Sequence, residues 1–390
     1  MSNNITTIAT LLSGGEGVGV GARAAGLRHL WGIEIDDDIA QVARDNGFNV
    51  ITAAIQDIDP HTLEVPDVLH ASPECQNASN AKNVKGADTL EEKETPLDVE
   101  IAGCIMRYLE VLQPRIFSLE NVYGYRRFQS FKMIMVALAR LGYFSDVQHL
   151  NSADFGVPQT RNRLILRAVR GGLVPPLPAP ESWIGWYQAI EDLIPTLPES
   201  EFAPWQMARL PDSFDNNFFM MIQGQASDYL TTKQPMQAIT ANHGAAKYRA
   251  FIVDGQNTKS VSARKADEPA LTVTSGDKGM PRAFVVGQNY GSPNNTGQER
   301  KLNVRTADEP IFTIETNANR LLTRAWLSQG RVVKMTPRCL ARFQSFPDSY
   351  RLPDHNGLAC RVIGNAVAPL MYEKIIRIMS SNTTPAGLGD

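Results

Sequence analysis

The sequence predicts an α/β protein with a doubly wound sheet and a second, smaller β-rich region. Two features of the chain support this prediction. Short apolar runs alternate with helical patterns from residue 5 to about residue 170, which is typical of a largely parallel sheet with helices on both faces. After residue 172, short β-rich units are joined by Gly-, Asn- and Ser-rich turns. We therefore expect a first domain over 1–171, completed by about 355–390, and a second domain over 172–354.

The composition is that of an ordinary globular chain. It has 390 residues, of which 43% are hydrophobic and 20% are charged, and it is long enough for two domains. No apolar run approaches the about 20 residues of a membrane helix, and the N-terminus lacks the basic region of a signal peptide. The cysteines lie far apart without a CxxC pair, so we expect no metal site, no disulfide framework and a cytoplasmic location. They are Cys75, Cys104, Cys339 and Cys360.

The charge is unevenly distributed along the second half of the chain. The formal net charge is −3, so a protein of this composition that binds nucleic acid needs a local basic surface. Residues 172–230 contain one Arg and eight acids, whereas residues 231–330 contain thirteen Lys and Arg and eight acids. The second segment could provide such a surface, although a charge bias is often only a solvated face.

The first βα unit contains a glycine-rich turn. An apolar strand from Ile5 to Leu12 is followed by the run Ser13 to Gly21, which holds five glycines, and then by a short helix that ends at Gly26. Glycines let the backbone approach a ligand closely, and the start of a helix presents free N–H groups. By itself the pattern is weak, because many glycine-rich turns are only tight turns.

Two acids follow the next two strands. Glu34 ends the second strand about 20 residues after the first glycines, the spacing of a carboxylate that binds ribose hydroxyls. Asp57 follows a third strand around Val50 and Ile51, where it could contact an adenine. Two acids without a basic pocket for phosphates favour a nucleoside ligand, and hence S-adenosylmethionine over NAD. Either acid could instead cap a helix.

A cysteine follows the next strand. The run Val68 to Ala71 predicts a short buried strand, which Pro73 ends, and Cys75 lies in the loop beyond it. Loops at this end of a strand often contain the catalytic groups of α/β enzymes. A free cysteine is nevertheless more often a small residue of the core.

Further polar residues are expected at the same edge of the sheet. Glu120 follows a buried strand over 116–119. Arg161 and Arg163 alternate, so that both side chains point to one side of a strand, where they could bind a phosphate or a base edge. An exposed pair of arginines is also compatible with a solvated surface.

In their order along the chain, these residues resemble the motifs of the DNA (cytosine-5)-methyltransferase family. A single match is weak, but the ordered series is highly specific. It covers roughly residues 5–170 and 335–375. The matching segments are Leu12-Ser13-Gly14-Gly15-Glu16-Gly17, Glu34-Ile35, Asp57-Ile58, Ser72-Pro73-Glu74-Cys75-Gln76, Glu120-Asn121-Val122, Gln159-Thr160-Arg161-Asn162-Arg163, Arg338 to Tyr350, and Gly364-Asn365-Ala366-Val367-Ala368-Pro369.

The resemblance implies a Rossmann-like methyltransferase domain with a smaller β-rich target-recognition domain. It implies methyl transfer from S-adenosylmethionine to C5 of a flipped-out cytosine in double-stranded DNA, leaving S-adenosylhomocysteine. It also implies a monomer of prokaryotic or phage origin, with a possible cognate restriction endonuclease. The implied catalytic residues are Cys75, Glu120, Arg161 and Arg163; the cofactor-binding residues are Leu12, Ser13, Gly14, Gly15, Gly17, Glu34, Ile35, Asp57, Ile58, Asn365 and Val367; and the DNA-binding residues are Ser72, Pro73, Gln76, Ser79, Asn121 and Gln159.

The sequence departs from the family pattern at two positions. Glu74 stands where the family has Pro, and Thr10 stands where it often has Asp. A carboxylate next to the Cys75 thiol would raise the pKa of that thiol, unless Glu74 pairs with a lysine of the polar loop over 77–94, which we expect to close over DNA.

Other functions remain open at this point. They are the same fold acting on RNA, transfer of a different one-carbon group, and a DNA-binding protein that has lost catalysis. A nicotinamide dehydrogenase is disfavoured because it would not explain Cys75, Glu120 and the two arginines together.

Overall fold

The structure is a computed structural model. It describes residues 5–73, 93–199 and 331–381, together with five short strands in between, over 246–249, 252–253, 282–289, 303–306 and 324–327.

A seven-stranded mixed sheet forms the centre of the molecule, with the strand order β3-β2-β1-β4-β5-β7-β6. The first five strands are parallel, and β6 and β7 form an antiparallel hairpin beside β5. This arrangement confirms the predicted α/β class. The strands are β1 (Thr7–Leu11), β2 (Arg28–Glu34), β3 (Val50–Thr52), β4 (Val68–Ala71), β5 (Ile116–Asn121), β6 (Tyr143–Asn151) and β7 (Asn162–Arg170).

Helices cover both faces of the sheet. The helices are α1 (Gly17–Ala24), α2 (Asp37–Asp45), α3 (Pro96–Leu112), α4 (Gln129–Arg140), α5 (Trp186–Ile190), α6 (Pro337–Phe343), α7 (Asn356–Asn365) and α8 (Pro369–Ser381). Alternate residues of β1 face opposite layers, as the two-residue period of a strand requires. Ile8 packs in the cluster that contains α1 and α8, whereas Ala9 and Leu11 pack in the cluster that contains α3 and α4.

The start of α3 shows how local sequence determines an element. The run Thr95-Pro96-Leu97-Asp98 is the sequence pattern of a capped helix start, and in the structure Thr95 and Asp98 form a capping box with Pro96 in the first turn. The helical period of the sequence places Leu97 on one apolar stripe with Ile101 and Ile105, but the Leu97 side chain is 53% exposed. The first buried apolar residue of the stripe is Ile101, so packing begins one turn after the helix does.

The C-terminal helix returns to the sheet, as predicted. Helix α8 packs along α1, and the Tyr372 hydroxyl lies 3.1 Å from Ser118 Oγ of β5. The close approach depends on Gly21, because a Cβ atom there would lie 2.3 Å from the Pro369 carbonyl oxygen. The C-terminal helix therefore packs into the core beside the seven-stranded sheet.

Strands between residues 246 and 334 form a second sheet. Among the described residues it has six strands, all paired antiparallel, and its longest strand pairs with four of the others. They are β8 (Ala246–Arg249), β9 (Ile252–Val253), β10 (Arg282–Asn289), β11 (Asn303–Thr306), β12 (Arg324–Leu327) and β13 (Arg331–Lys334). The sheet lies within the segment expected to be β-rich. None of the described helices is long and apolar enough to cross a bilayer.

Candidate active site

The carboxyl ends of the parallel strands bring most of the predicted site residues to one edge of the sheet. Strand β1 ends just before the glycine-rich turn, β2 ends at Glu34, β4 ends just before Ser72, and β5 ends at Asn121. Because β7 runs antiparallel to β5, its first residues, including Arg163, lie at the same edge. Glu74, Cys75, Gln76 and Ser79 lie outside the described residues, as does most of the polar loop over 77–94.

The turn after β1 has the features of a ligand-binding loop. Leu12 and Gly14 have positive φ angles of 56° and 54°, and the Ser13 N–H donates to the Ile33 carbonyl at 2.9 Å. No described heavy atom lies within 4 Å of where a Gly14 Cβ would stand. Ser13 Oγ is buried and has no hydrogen-bond partner among the described residues. The turn therefore combines free space with an unpaired polar group, which fits a polar ligand.

Glu34 connects this turn to the end of β2. Its two carboxylate oxygens accept hydrogen bonds from the Gly14 N–H at 2.8 Å and from the Asp36 N–H at 2.9 Å. Burial raises the pKa of Glu34, although these hydrogen bonds act in the opposite direction. Asp36 is the residue that caps α2, through the Ile39 N–H. Glu34 is therefore not the cap of α2, and helix capping does not explain why an acid stands at the end of β2.

The third acid occupies a more open position. Asp57 is exposed, and its backbone N–H donates to the Ala54 carbonyl at 3.0 Å. Ile58 is half-buried against the core, and its carbonyl accepts a hydrogen bond from Arg107 of α3. Ile35, which follows Glu34, is 66% exposed. Asp57 and Ile35 are thus free to contact a ligand, whereas the backbone of Ile58 is held by α3.

Two further predicted cofactor-binding glycines, Gly15 and Gly17, meet the C-terminal segment. A Cβ atom added at Gly15 would lie 2.4 Å from Val362 Cγ1. A Cβ atom added at Gly17 would lie 2.5 Å from the Val367 carbonyl oxygen. The Tyr350 hydroxyl donates to the Gly15 carbonyl at 2.6 Å. Val367 is buried, and Asn365, at the end of α7, is exposed. The predicted cofactor-binding residues from the two ends of the chain therefore adjoin each other.

A buried acid next to this turn was missed by the sequence analysis. Glu16 has a φ of 61° and a fully buried side chain. Its Oε1 accepts the Thr10 hydroxyl at 2.5 Å and lies 3.0 Å from His29 Nε2. The carboxylate thus reaches Thr10, the position at which the family often has Asp. A glycine in β2, Gly32, makes the room, because a Cβ atom there would lie 2.2 Å from Glu16 Oε1.

A buried polar chain supports the end of β4 and was also missed. His70 Nε2 lies 2.8 Å from Ser72 Oγ, and His70 Nδ1 lies 2.8 Å from Ser118 Oγ, which in turn contacts Tyr372. Burial lowers the pKa of His70 to about 3, so the ring is neutral at physiological pH. Asn121 adds a contact at the same place, since its Nδ2 donates to the Pro73 carbonyl at 3.1 Å. These contacts hold the last described residues before Cys75.

Glu120 lies between the two predicted arginines. Its Oε1 is 2.9 Å from Arg163 Nε and 3.9 Å from the nearer Arg161 nitrogen, and all three side chains are largely buried. The same oxygen accepts no hydrogen bond from the described residues. Arg161 also donates to the Gly364 carbonyl at 3.1 Å. The arrangement is therefore a buried carboxylate next to two positive charges.

Gln159 occupies a different environment. Its side chain is fully buried, and Nε2 donates to Gln344 Oε1 at 2.6 Å. Gln344 continues the network by donating to the Ala366 carbonyl at 2.6 Å. The structure thus places Gln159 in a link to the C-terminal segment. Within the described residues, no group of three or more His, Cys, Asp or Glu side chains could hold a metal ion.

Comparisons with known proteins find relatives over nearly the whole chain. Residues 6–381 match the family model of C-5 cytosine-specific DNA methylases. The chain is 23% identical to the Type II methyltransferase M.AgeI of Thalassovita gelatinovora, over 93% of this chain and 96% of that protein. It is 25% identical to the Type II methyltransferase M1.HphI of Haemophilus parahaemolyticus, over 97% of this chain and 87% of that protein.

Solved structures resemble this chain over nearly its whole length. The S. pombe Dnmt2 methyltransferase has a TM-score of 0.53 at 11% identity, covering 96% of this chain and 98% of that one. The Entamoeba histolytica methyltransferase EhMeth has a TM-score of 0.55 at 12% identity, covering 97% and 99%. At these identities the similarity shows the fold alone. The match over residues 6–381 identifies the family, and the chain belongs to the C-5 cytosine-specific DNA methylases.

Proposed function

We propose that this DNA cytosine-5 methyltransferase acts through a covalent bond between Cys75 and C6 of a flipped-out cytosine in double-stranded DNA. The observation that supports the proposal best is the position of Glu120. This buried carboxylate adjoins Arg161 and Arg163, and β5, which contains it, is the direct neighbour of β4, which leads to Cys75. One of its oxygens accepts no hydrogen bond from the described residues.

C5 of cytosine is too weak a nucleophile to take a methyl group unaided. The enzyme therefore needs a nucleophile of its own that adds to C6 and activates C5. When the Cys75 thiolate adds to C6, the S–C6 bond forms and electron density moves towards C5 and N3. The activated C5 then takes the methyl group. Loss of the C5 proton and cleavage of the S–C6 bond restore the aromatic ring and the free thiolate. Cys75 is thus regenerated at the end of the cycle.

Glu120 and the arginines have separate roles in this scheme. Glu120 binds N3 and the exocyclic amine, where it stabilises the charge that develops on the ring and shares a proton with it. Arg163 binds the O2 side of the base, with which its guanidinium can form charge-assisted hydrogen bonds. Arg161 holds the C-terminal segment through the Gly364 carbonyl and adds positive charge beside Glu120.

S-adenosylmethionine supplies an electrophilic methyl group when it is bound. Three features of the described residues support this cofactor: the free space at Gly14, a Ser13 Oγ that has no hydrogen-bond partner among them, and the acids Glu34 and Asp57. Glu34 would bind the ribose hydroxyls, and Asp57 the adenine. We propose no metal in this site. The remaining proposed contacts are Leu12, Gly15, Gly17, Ile35, Ile58, Asn365 and Val367.

The larger context of the reaction is also part of the proposal. Residues 172–354 would form the target-recognition domain, and the loop over 77–94 would close over the DNA once the cytosine has left the stack. DNA contacts would come from Ser72, Pro73, Gln76, Ser79 and Asn121, with Gln159 supporting them. We propose a monomer in the cytoplasm of a prokaryote or a phage-infected cell. Because the matching relatives are Type II methyltransferases, a restriction–modification system with a cognate endonuclease is the proposed setting.

Incubation with labelled S-adenosylmethionine tests the proposed function. Duplex DNA, duplex RNA and single strands are offered in parallel to the wild-type protein, to Cys75→Ser and to the control Cys104→Ser, whose thiol lies half-buried in α3. Label in duplex DNA that is lost only in Cys75→Ser supports the proposal. Label in RNA alone contradicts the substrate, and binding of cofactor and DNA without any label contradicts the enzymatic role.

A further inference from the structure

Three side chains form a stack beyond the end of β5. The Tyr123 and His149 rings are stacked, with centroids 4.1 Å apart and planes 24° apart. The Arg126 guanidinium carbon lies 4.1 Å from the centroid of the same Tyr123 ring. Because both neighbours are at van der Waals distance, they occupy opposite faces of Tyr123. We call Arg126, Tyr123 and His149 the edge stack.

The edge stack lies at the edge of the sheet formed by the carboxyl ends of the parallel strands, and it lies outwards from the candidate active site. Tyr123 follows Asn121, the last residue of β5, by two positions. His149, near the end of the outermost strand β6, pairs with Leu164 of β7, which in turn pairs with Asn121. The next pair along β6 and β7 brings Leu150 to Arg163. The stack and the Glu120–Arg163 pair thus share one edge.

The edge stack is positively charged and exposed. Arg126 and its neighbour Arg127 are exposed, and neither takes part in an ion pair within the described residues. Partial burial, and then the Arg126 charge, lower the pKa of His149, so its ring is neutral at physiological pH. Arg140, at the opposite end of α4, shows the contrast, because it is exposed but pairs with Glu110. The two arginines at the edge therefore lack an internal counter-charge in the part of the chain that the structure describes.

We propose that the edge stack binds the phosphodiester backbone of the DNA strand next to the flipped cytosine. A chain with a net charge of −3 needs local basic groups to bind DNA, and the stack is such a group beside the site. A guanidinium fork matches the oxygens of a phosphate. Its contact with Tyr123 restricts the side chain before DNA arrives, so that less freedom is lost on binding. The inference rests on the proposed function, because it takes DNA to lie across this edge.

Binding of duplex DNA by the full chain at several salt concentrations tests the inference. In Arg126→Ala we expect the dissociation constant to rise roughly fivefold and the slope of log affinity against log salt to fall by about 0.9, the value of one phosphate contact. Arg126→Lys should retain the slope because it keeps the charge. Tyr123→Ala should weaken binding less than Arg126→Ala does, since only the restraint on the guanidinium is lost.

The controls separate this contact from other causes. Arg140→Ala removes an exposed arginine at the opposite edge and should leave both quantities at their wild-type values. Binding of S-adenosylhomocysteine should be unchanged in every variant. A wild-type salt slope in Arg126→Ala, or an equal loss in Arg140→Ala, would overturn the inference. If the wild-type protein methylates DNA while Arg126→Ala keeps its salt slope, only the edge stack proposal fails; if the wild-type protein transfers no methyl group, the proposed function fails.

Discussion

The edge of the sheet at the carboxyl ends of the parallel strands has two halves, and their charged side chains have opposite signs. On the side of β1 to β3, Glu34 is held by backbone N–H groups, and Asp57 is exposed nearby. On the side of β4, β5 and β7, Glu120 lies against Arg161 and Arg163. The difference matches the proposed ligands, since S-adenosylmethionine carries a positive sulfonium group and DNA a negative backbone. The first half would therefore bind the cofactor, and the second half the DNA.

The two halves also differ in how they are held in place. The glycine turn is enclosed by the C-terminal residues, whose backbone and side chains leave no space for a Cβ atom at Gly15 or Gly17. The end of β4 is held instead by hydrogen bonds of the neutral His70 ring to Ser72 and Ser118. Steric disturbance should therefore affect the cofactor half first, and changes in polar groups should affect the DNA half first.

The largest effect is expected from Glu120→Gln. This substitution keeps the shape but removes the charge and the acid–base function, so methyl transfer should fall by roughly 10²–10⁴-fold while S-adenosylhomocysteine binding is unchanged. Single-turnover transfer to duplex DNA measures the loss. Glu100→Gln, in α3, removes a carboxylate whose described hydrogen bond is to Gln56 and should have wild-type activity. A rate for Glu120→Gln within about threefold of the wild-type rate would contradict the assigned role.

A second prediction compares two glycines. Gly17→Ala should lower the free energy of unfolding by about 1–3 kcal/mol and weaken cofactor binding, because the new Cβ would lie 2.5 Å from the Val367 carbonyl oxygen. Gly103→Ala is the matched control, since no described heavy atom lies within 4 Å of the added Cβ in α3. It should raise stability by about 0.5–1 kcal/mol. Chemical denaturation and calorimetric titration give both quantities, and equal behaviour of the two variants would contradict the packing account.

The smallest effect concerns the pH dependence at Glu34. Because burial raises the pKa of Glu34, this carboxyl takes up a proton at a higher pH than an ordinary glutamate does. The ionised form is the better acceptor for ribose hydroxyls, so affinity for S-adenosylhomocysteine should fall as the pH drops from neutral through the raised pKa. The stability of the fold depends on pH in the opposite direction to the affinity. The contribution of Glu34 to the free energy of unfolding is complete at low pH and decreases as the pH rises through the raised pKa.

Titration of the Glu34→Gln variant tests this assignment. It should bind S-adenosylhomocysteine roughly tenfold more weakly at neutral pH, as the loss of a charged hydrogen-bond acceptor predicts. Its affinity should no longer depend on pH in the mildly acidic range. Glu64→Gln, on the exposed pair with Arg28, is the control and should follow the wild-type curve. A pH dependence that persists in Glu34→Gln would assign it to another group.

The sequence was sufficient where a function depends on local patterns. Strand ends with acids, the capping box of α3 and the alternating arginines are all short-range features, and the structure shows each of them. Glu16 was missed although its partners Thr10 and His29 lie only 6 and 13 residues away, because no local pattern shows that its side chain is buried. His70 was missed because its partner Ser118 is 48 residues away. His70 meets Ser118, which contacts Tyr372 across a separation of 254 residues. The packing roles of Gly15 and Gly17 were missed for the same reason, since the residues that enclose them follow the second sheet.

The covalent intermediate tests the central claim most directly. Duplex DNA in which the target cytosine carries fluorine at C5 cannot lose a proton from that carbon, so the S–C6 bond cannot be broken by elimination. With S-adenosylmethionine present, we expect a stable protein–DNA adduct that peptide mapping assigns to Cys75, that is absent in Cys75→Ser and that persists in Cys104→Ser. An adduct at another residue, or no adduct while unmodified DNA is methylated, would contradict the account.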